Sequence, residues 1–421
     1  ITSERELNTA EMKPLKKPLI GEITIQGNKD IPKNFIQQYI GLETGYKLNL
    51  KILDNNISEL YSLGYFKTLY YEIHPFGDGW VDLIIHVKEG SLRKFHLGLR
   101  WDNMYHLVGV ANVQLNTKWI PGIRIEDELQ FAGIRKNEFS ISYPSRRLNF
   151  PIYPYFKITN SRYPFKLYSA ENNFEGSYTY SSDGIRVGMG ILLKNYWNTE
   201  FEYYINSVNF QSDQALANLV DNNLQDDGDP YSMQKGDLSG IRVIARLDLI
   251  DNILLPQDGI LINGQYENSI TALGASQNYE FYLAQGTAYK TFHHNTYGIS
   301  GYYHWDVNNT PRYISTIFAG SQVFAGAKEF QMHGSTLTFL RLDYRHKYKK
   351  TMYLHLMANW LMNAISEDHK HTAEDIWGFG TGITILSPVG PLKLTWSWGP
   401  KNIYTNENQQ SHYHFLAGYQ F

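Results

Sequence analysis

The sequence predicts a mainly β protein, a transmembrane antiparallel β-barrel of about 16 strands preceded by one small α/β domain. Three observations predict it. From Phe95 to the C-terminus, short segments alternate apolar and polar residues and are separated by Gly, Asn, Asp and Pro turns. Aromatic residues make up 15% of the chain, more than a soluble sandwich usually carries. Mean hydropathy is −0.39, and no run approaches the length of a spanning helix. A helical membrane protein is therefore excluded. A barrel is not, because it hides its apolar residues at every second position and pairs its backbone around a closed ring.

Composition narrows the function. A chain of 421 residues holds two or three soluble domains, or one small domain and one large barrel. Net charge is −3 and no long basic block appears, so nucleic acid is not expected as a partner. Cysteine is absent, which removes disulfides and thiolate metal sites. The opening ITSERELN has no basic segment leading into an apolar one. This implies a signal peptide already removed or a fragment of a longer protein.

Residues 1–17 are polar and basic and read as a linker or lead-in. The small domain is expected over 18–90. Leu19–Ile25 alternates as a strand and stops at Gly27-Asn28. Ile31–Ile40 carries Pro32 in its first turn, with Phe35, Ile36, Tyr39 and Ile40 at helical spacing. Leu53–Leu63 puts Leu53, Ile57, Leu60 and Tyr61 on one face and closes at Gly64. Thr68–Ile73 and Val81–Val87 form two further strands around the turn at Phe76–Gly79. The order is β-α-α-β-β. The pieces IQGNKDIPKNFI, LYSLGYF and VDLIIHVKEG, with Leu63–Phe66 the most specific, resemble a POTRA domain. That is the periplasmic module of the BamA, TamA and FhaC superfamily of outer-membrane proteins.

The barrel is expected over 91–421. Ile185, Val187, Met189 and Ile191 oppose Arg186, Gly188 and Gly190; Phe201, Tyr203 and Ile205 oppose Glu200, Glu202 and Asn206. Ile260, Ile262 and Tyr266 oppose Asn263, Gln265 and Glu267. Leu392, Leu394, Trp396 and Trp398 oppose Lys393, Thr395 and Ser397. In the terminal SHYHFLAGYQF, Tyr413, Phe415, Tyr419 and Phe421 are expected to face lipid, and His412, His414 and Gln420 the lumen. Ring closure requires this strand to pair with Phe95–Trp101, and Gly98 and Gly418 predict a weak seam there. Two connections are long. Gln211–Gly236 is acidic and reads as a surface loop. Thr310–Ser335 is apolar and Gly-rich, so it is expected to fold into the lumen, with Phe324, Gly326, Lys328 and Phe330 as the plug.

Later motifs extend the resemblance over nearly the whole chain. RLDLIDNILLPQDGILING (Arg246–Gly264) is similar to the family's mid-barrel strand–turn–strand motif. FGTGITILSPVGPLKLTWSWG (Phe379–Gly399) is similar to the hairpin before its last strands. Tyr419 and Phe421 resemble the C-terminal barrel signal. The sixth extracellular loop departs from the family: Gly326-Ala327-Lys328-Glu329-Phe330 stands where an Arg-Gly-aromatic tip is usual. With one POTRA, the chain most resembles the barrel part of patatin-fused members, although the sequence holds no Gly-x-Ser-x-Gly elbow.

The residues themselves leave several readings open. Arg341, Asp343 and Arg345 share one strand face, either gripping the inward loop or forming a solvated charge ladder in the lumen. His293-His294, His369/His371 and His412/His414 invite a metal, but no carboxylate pattern accompanies them, and neither metal nor cofactor is expected. Asp221–Asp229 reads as a solvated loop rather than a calcium site. No enzymatic activity is expected. The resemblance implies a Gram-negative outer-membrane barrel in contact with outer-membrane lipid, its POTRA in the periplasm capturing a polypeptide for insertion or translocation by edge pairing. The alternatives are an anchor or pore for an upstream lipase domain, and a plain diffusion pore.

Overall fold

The computed structural model describes residues 18–77, 79–143, 152–168, 174–193, 196–212, 234–308, 324–327, 334–366, 371–388, 390–401 and 409–418. The lead-in, the acidic run at 221–229, Lys328, Phe330, His369, Gln420, Tyr419 and Phe421 lie outside them. The chain divides into two compact units, the first comprising residues 1–94 with 114–125 and 143–150, the second the remainder.

The first unit builds β1 (Leu19–Gln26), α1 (Lys33–Ile40), α2 (Leu50–Ser62), β2 (Phe66–Phe76) and β3 (Trp80–Glu89). The helices start and stop where their caps dictate. Pro32 is the N-cap of α1, so the helix begins at Lys33, and Gly41 ends it in the left-handed region. α2 begins at Leu50, about one turn earlier than its apolar spacing suggests, with the Asn49 carbonyl accepting the Leu53 N–H at 3.0 Å. The sheet order is β1-β3-β2, with β1 parallel and β2 antiparallel to β3. Ile20, Leu83 and Ile85 from the sheet meet Ile36, Ile40, Leu53 and Leu60 from the helices in one buried core. The Glu89 carboxylate accepts the backbone N–H groups of Lys29 at 2.7 Å and Ile31 at 2.9 Å, which fixes the entry to α1. In the same unit, Tyr65 of the Leu63–Phe66 turn is buried, and its hydroxyl accepts the Gly122 N–H at 2.7 Å.

The second unit is a closed antiparallel barrel. Its strands run β4 (Arg93–Asp102), β5 (His106–Asn116), β6 (Arg124–Ala132), β7 (Arg135–Ser142), β8 (Ile152–Tyr168) and β9 (Phe174–Leu193). They continue with β10 (Trp197–Ser212), β11 (Gln234–Asp248), β12 (Gly259–Ser269), β13 (Tyr279–Phe292) and β14 (Asn295–Asn308). The circuit ends with β15 (Thr336–Lys349), β16 (Met352–Ile365), β17 (Thr372–Ala373), β18 (Ile376–Ser387), β19 (Gly390–Pro400) and β20 (Gln409–Gly418). The two-residue β17 only caps β16, which pairs directly with β18, so 16 strands span. The flanks of the acidic connection, through Ser212 and from Gln234, are strand rather than loop.

Alternation sets the two surfaces. Leu342 is 52% exposed on the outer wall, whereas Arg345 on the opposite parity is 9% exposed. Trp360, Trp377, Phe379 and Trp398 form an outer aromatic row across β16, β18 and β19, with Trp360 and Trp377 stacked at 5.6 Å. In β20, Tyr413 and Phe415 are exposed and His414 is buried. Period-2 side-chain geometry accounts for this division.

Candidate functional site

Three features of the barrel and one of the small domain are built for more than closure. The first is a buried ion cluster on the inner wall. Register places Glu202 of β10 opposite Arg242 of β11, and Arg242 opposite Glu267 of β12. The Arg242 guanidinium donates to Glu202 and to Glu267, both at 2.6 Å, with all three side chains at most 10% exposed. Tyr279 donates to Glu267 at 2.5 Å, Tyr155 donates to Glu202 at 3.0 Å, and Arg242 lies over the Tyr204 ring. These bonds occupy the carboxylate lone pairs, which a buried charge requires. The pairing escaped the sequence reading because it joins strands 40 and 25 residues apart. Alternation reveals a face but not a neighbour.

The second feature is the loop tip Phe324–Ala327. Phe324, Ala325 and Ala327 are buried, and Phe324 meets Phe339 edge-on at 5.8 Å in a cluster with Tyr302, Leu337, Leu361 and Ile376. The tip lies along inward glycines of β18 and β19. A Cβ at Gly378 would overlap the Ala325 carbonyl oxygen, and Gly326, at φ 95°, rests its backbone on Gly399. Phe324 and Gly326 are thus brought against the inner wall. Lys328 and Phe330 cannot be placed among the described residues. Gly378→Ala is expected to push the tip off β18 and raise single-channel conductance in planar bilayers; unchanged conductance would sink the idea that this tip obstructs the lumen.

The residues Arg341, Asp343 and Arg345 do share the inner face of β15. Arg341 clamps Asp343 through two nitrogens, Nε at 2.8 Å and Nη2 at 2.7 Å. Arg345 does something different: its Nη2 donates to the carbonyl of Pro256 in the turn between β11 and β12. That turn is held by Asp251, whose carboxylate accepts the N–H of Gln257 at 2.8 Å and of Asp258 at 3.2 Å. These bonds, Gln257 first, hold the Asp251 carboxyl below its ordinary pKa. Among the described residues no three His, Cys, Asp or Glu side chains stand together as a metal site.

The third feature is the seam. Among the described residues, nine pairs join β20 to β19, and three, Leu416–Asp102, Ala417–Trp101 and Gly418–Arg100, join it to β4. Gly418 has φ 97°, and a side chain there would strike the Leu99 carbonyl, so β20 bends at its end. Past Asp102 the ladder is continued by a side chain. Asn103 donates through Nδ2 to the Tyr413 carbonyl at 2.7 Å and accepts the Phe415 N–H through Oδ1 at 3.1 Å. Its amide thus stands in for one peptide unit of a missing strand. Trp101 and Phe415 meet outside it at 5.4 Å. Removing two such bonds, worth roughly 0.5–1.5 kcal/mol each, should open the seam about tenfold more often. Asn103→Ala is therefore expected to speed hydrogen exchange at Phe415; exchange equal to that of the parent would show that the amide holds nothing.

In the small domain the two sheet edges differ. The outer edge of β1 is taken by residues 45–48, through Ile20 N–H to the Tyr46 carbonyl at 2.9 Å and Gly45 N–H to the Ile20 carbonyl at 2.7 Å. The outer edge of β2 has no strand partner among the described residues. Behind it the Tyr71 hydroxyl donates to Asp54 of α2 at 2.6 Å, a bond that raises the tyrosine pKa.

A small α/β module followed by a closed 16-strand antiparallel barrel defines a class of outer-membrane β-barrel proteins. The POTRA family, a surface antigen variable number repeat, matches residues 18–90, and the Omp85 superfamily domain matches residues 128–335. The chain belongs to the Omp85 superfamily. No curated protein sequence matches it. Among solved structures, BamA from Haemophilus ducreyi lacking POTRA domains 1–3 is similar at a TM-score of 0.75 and 12% identity, over 96% of this chain and 84% of that one. CdiB from Acinetobacter baumannii is similar at 0.58 and 13% identity, over 96% and 74%. CdiB from Escherichia coli is similar at 0.59 and 12% identity, over 96% and 77%. At such identities the likeness is one of fold.

Proposed function

We propose that this protein is a non-enzymatic assembly or secretion barrel. Its POTRA domain lies in the periplasm and captures a polypeptide by adding it as a strand to β2, and the barrel inserts or translocates it. The observation that supports this reading is how β20 meets β4: among the described residues three pairs join them, and past Asp102 the Asn103 side chain continues the ladder, so a seam that parts there exposes strand edges to the membrane. The outer edge of β2, which has no strand partner among the described residues, offers the backbone edge that strand capture needs.

Because the chain has no cysteine, a designed disulfide tests this cleanly. Trp101→Cys with Ala417→Cys places two thiols on directly paired residues across the seam. Under oxidising conditions the crosslinked form should reproduce the outer-membrane protein profile of a strain lacking the gene, and reductant should restore the normal profile. A normal profile from the fully crosslinked protein would mean that the seam is a passive closure. An anchor or pore for a patatin-like domain, or a diffusion pore, predicts that result.

A further inference from the structure

Inside the barrel, beside the turn at 249–258, lies a cavity of about 540 Å³ whose wall includes Arg341, Arg345, His355, Thr384, Lys393 and His414. Its charges do not balance. Arg341, Arg345 and Lys393 face a single lining carboxylate, Asp343, which leaves two positive charges in excess. Asp343 is already clamped by Arg341. Of the acids on the turn, Asp251 spends its carboxylate on the backbone of Gln257 and Asp258, and Asp258 pairs with Lys290 at 2.8 Å. Lys393 makes no ion pair among the described residues, and Arg345 meets a carbonyl rather than an acid. Arg345 and Thr384 are more than nine-tenths buried. The Nε of Arg345, the Nε2 of His355 and the Oγ1 of Thr384 are buried without a hydrogen-bond partner among the described residues.

Confined cations and orphaned donors are costly unless an anion answers them. We propose that this cavity is a binding site for a phosphate-bearing small molecule. Lys393 and Arg345 take the phosphate oxygens, with His355 and Thr384 completing the donor set. Leu254, Leu255, Tyr289, Phe339 and Leu416 line the rest and receive the organic body. The volume falls within the roughly 300–1,000 Å³ of small-molecule sites, larger than a bare anion needs. The ligand is either a soluble phosphate ester or the headgroup of a phospholipid. This proposal stands apart from the strand-capture reading, since neither the seam nor β2 enters it.

Calorimetric titration of the whole purified chain in neutral detergent tests it, with three probes: inorganic phosphate, dihexanoyl phosphatidic acid and, without phosphate, dihexanoylglycerol. Saturable binding is expected for one or both phosphate probes. Lys393→Gln should weaken it by at least about tenfold, the loss of one charge-assisted contact, and Lys393→Arg should restore it. Binding of phosphatidic acid alone assigns the site to a lipid headgroup, and binding of phosphate assigns it to a soluble ester; both support the site. Heat-modifiable gel mobility verifies that each variant is folded, and His355→Gln serves in place of Lys393→Gln should the latter fail to fold. Equal binding of dihexanoylglycerol, unchanged affinity in the folded variants, or no saturable binding of any probe overturns the proposal.

Discussion

Arg242→Ala is expected to destabilise the barrel by about 3–5 kcal/mol, the cost of leaving buried charges without their partner. The substitution strands Glu202 and Glu267, both almost wholly buried, at 2.6 Å from where the guanidinium stood. Tyr155 and Tyr279 still donate one bond each, but two tyrosines do not neutralise two carboxylates. The transition in urea, followed by heat-modifiable gel mobility, should therefore move to markedly lower denaturant. The same physics predicts what restores it. Replacing all three charged residues together with apolar residues of similar volume removes the stranded charges and should recover most of the loss. If Arg242→Ala unfolds at the concentration of the parent, the cluster is solvated and does not brace the wall.

Phe415→Arg is the second large effect, about 2–4 kcal/mol against folding into a bilayer for a cation on the lipid face at mid-depth. Phe415 points outward from β20 and rests on Trp101 across the seam, so the variant loses that contact as well. The control belongs on the inner wall, where a charge meets water. Gln285 of β13 is exposed and lines the lumen cavity, so Gln285→Arg should fold nearly as well as the parent. His414 is a poorer control, because it is buried beside the same cavity as Lys393, and an arginine there adds a like charge to an already cationic wall. Folded fractions in membrane preparations, read from gel mobility with and without heating, provide the comparison. Equal folding of Phe415→Arg and Gln285→Arg would mean that β20 does not face lipid, and the assignment of the outer wall would fall with it.

What the sequence determined by itself was everything that depends on period and local chemistry. Alternation told which side chains of Phe201–Ile205 or Leu392–Trp398 face outward, because successive strand residues must point to opposite faces whatever the neighbours are. The spacing of Phe35, Ile36, Tyr39 and Ile40, with glycine just after, located a helix for the same local reason. The apolar composition of the Thr310–Ser335 connection pointed inward in the same way, and of that connection the described Phe324–Ala327 are buried. Only the tertiary structure decided which residues meet. The alignment of Glu202, Arg242 and Glu267 follows from strand register, which connection lengths and the stagger of the whole ring fix together. The pairing of Leu416–Gly418 with Arg100–Asp102 and the Asn103 amide that extends it depend on where a strand at residue 416 meets one at residue 102, a closure set by the shear of sixteen strands and written in no single one of them.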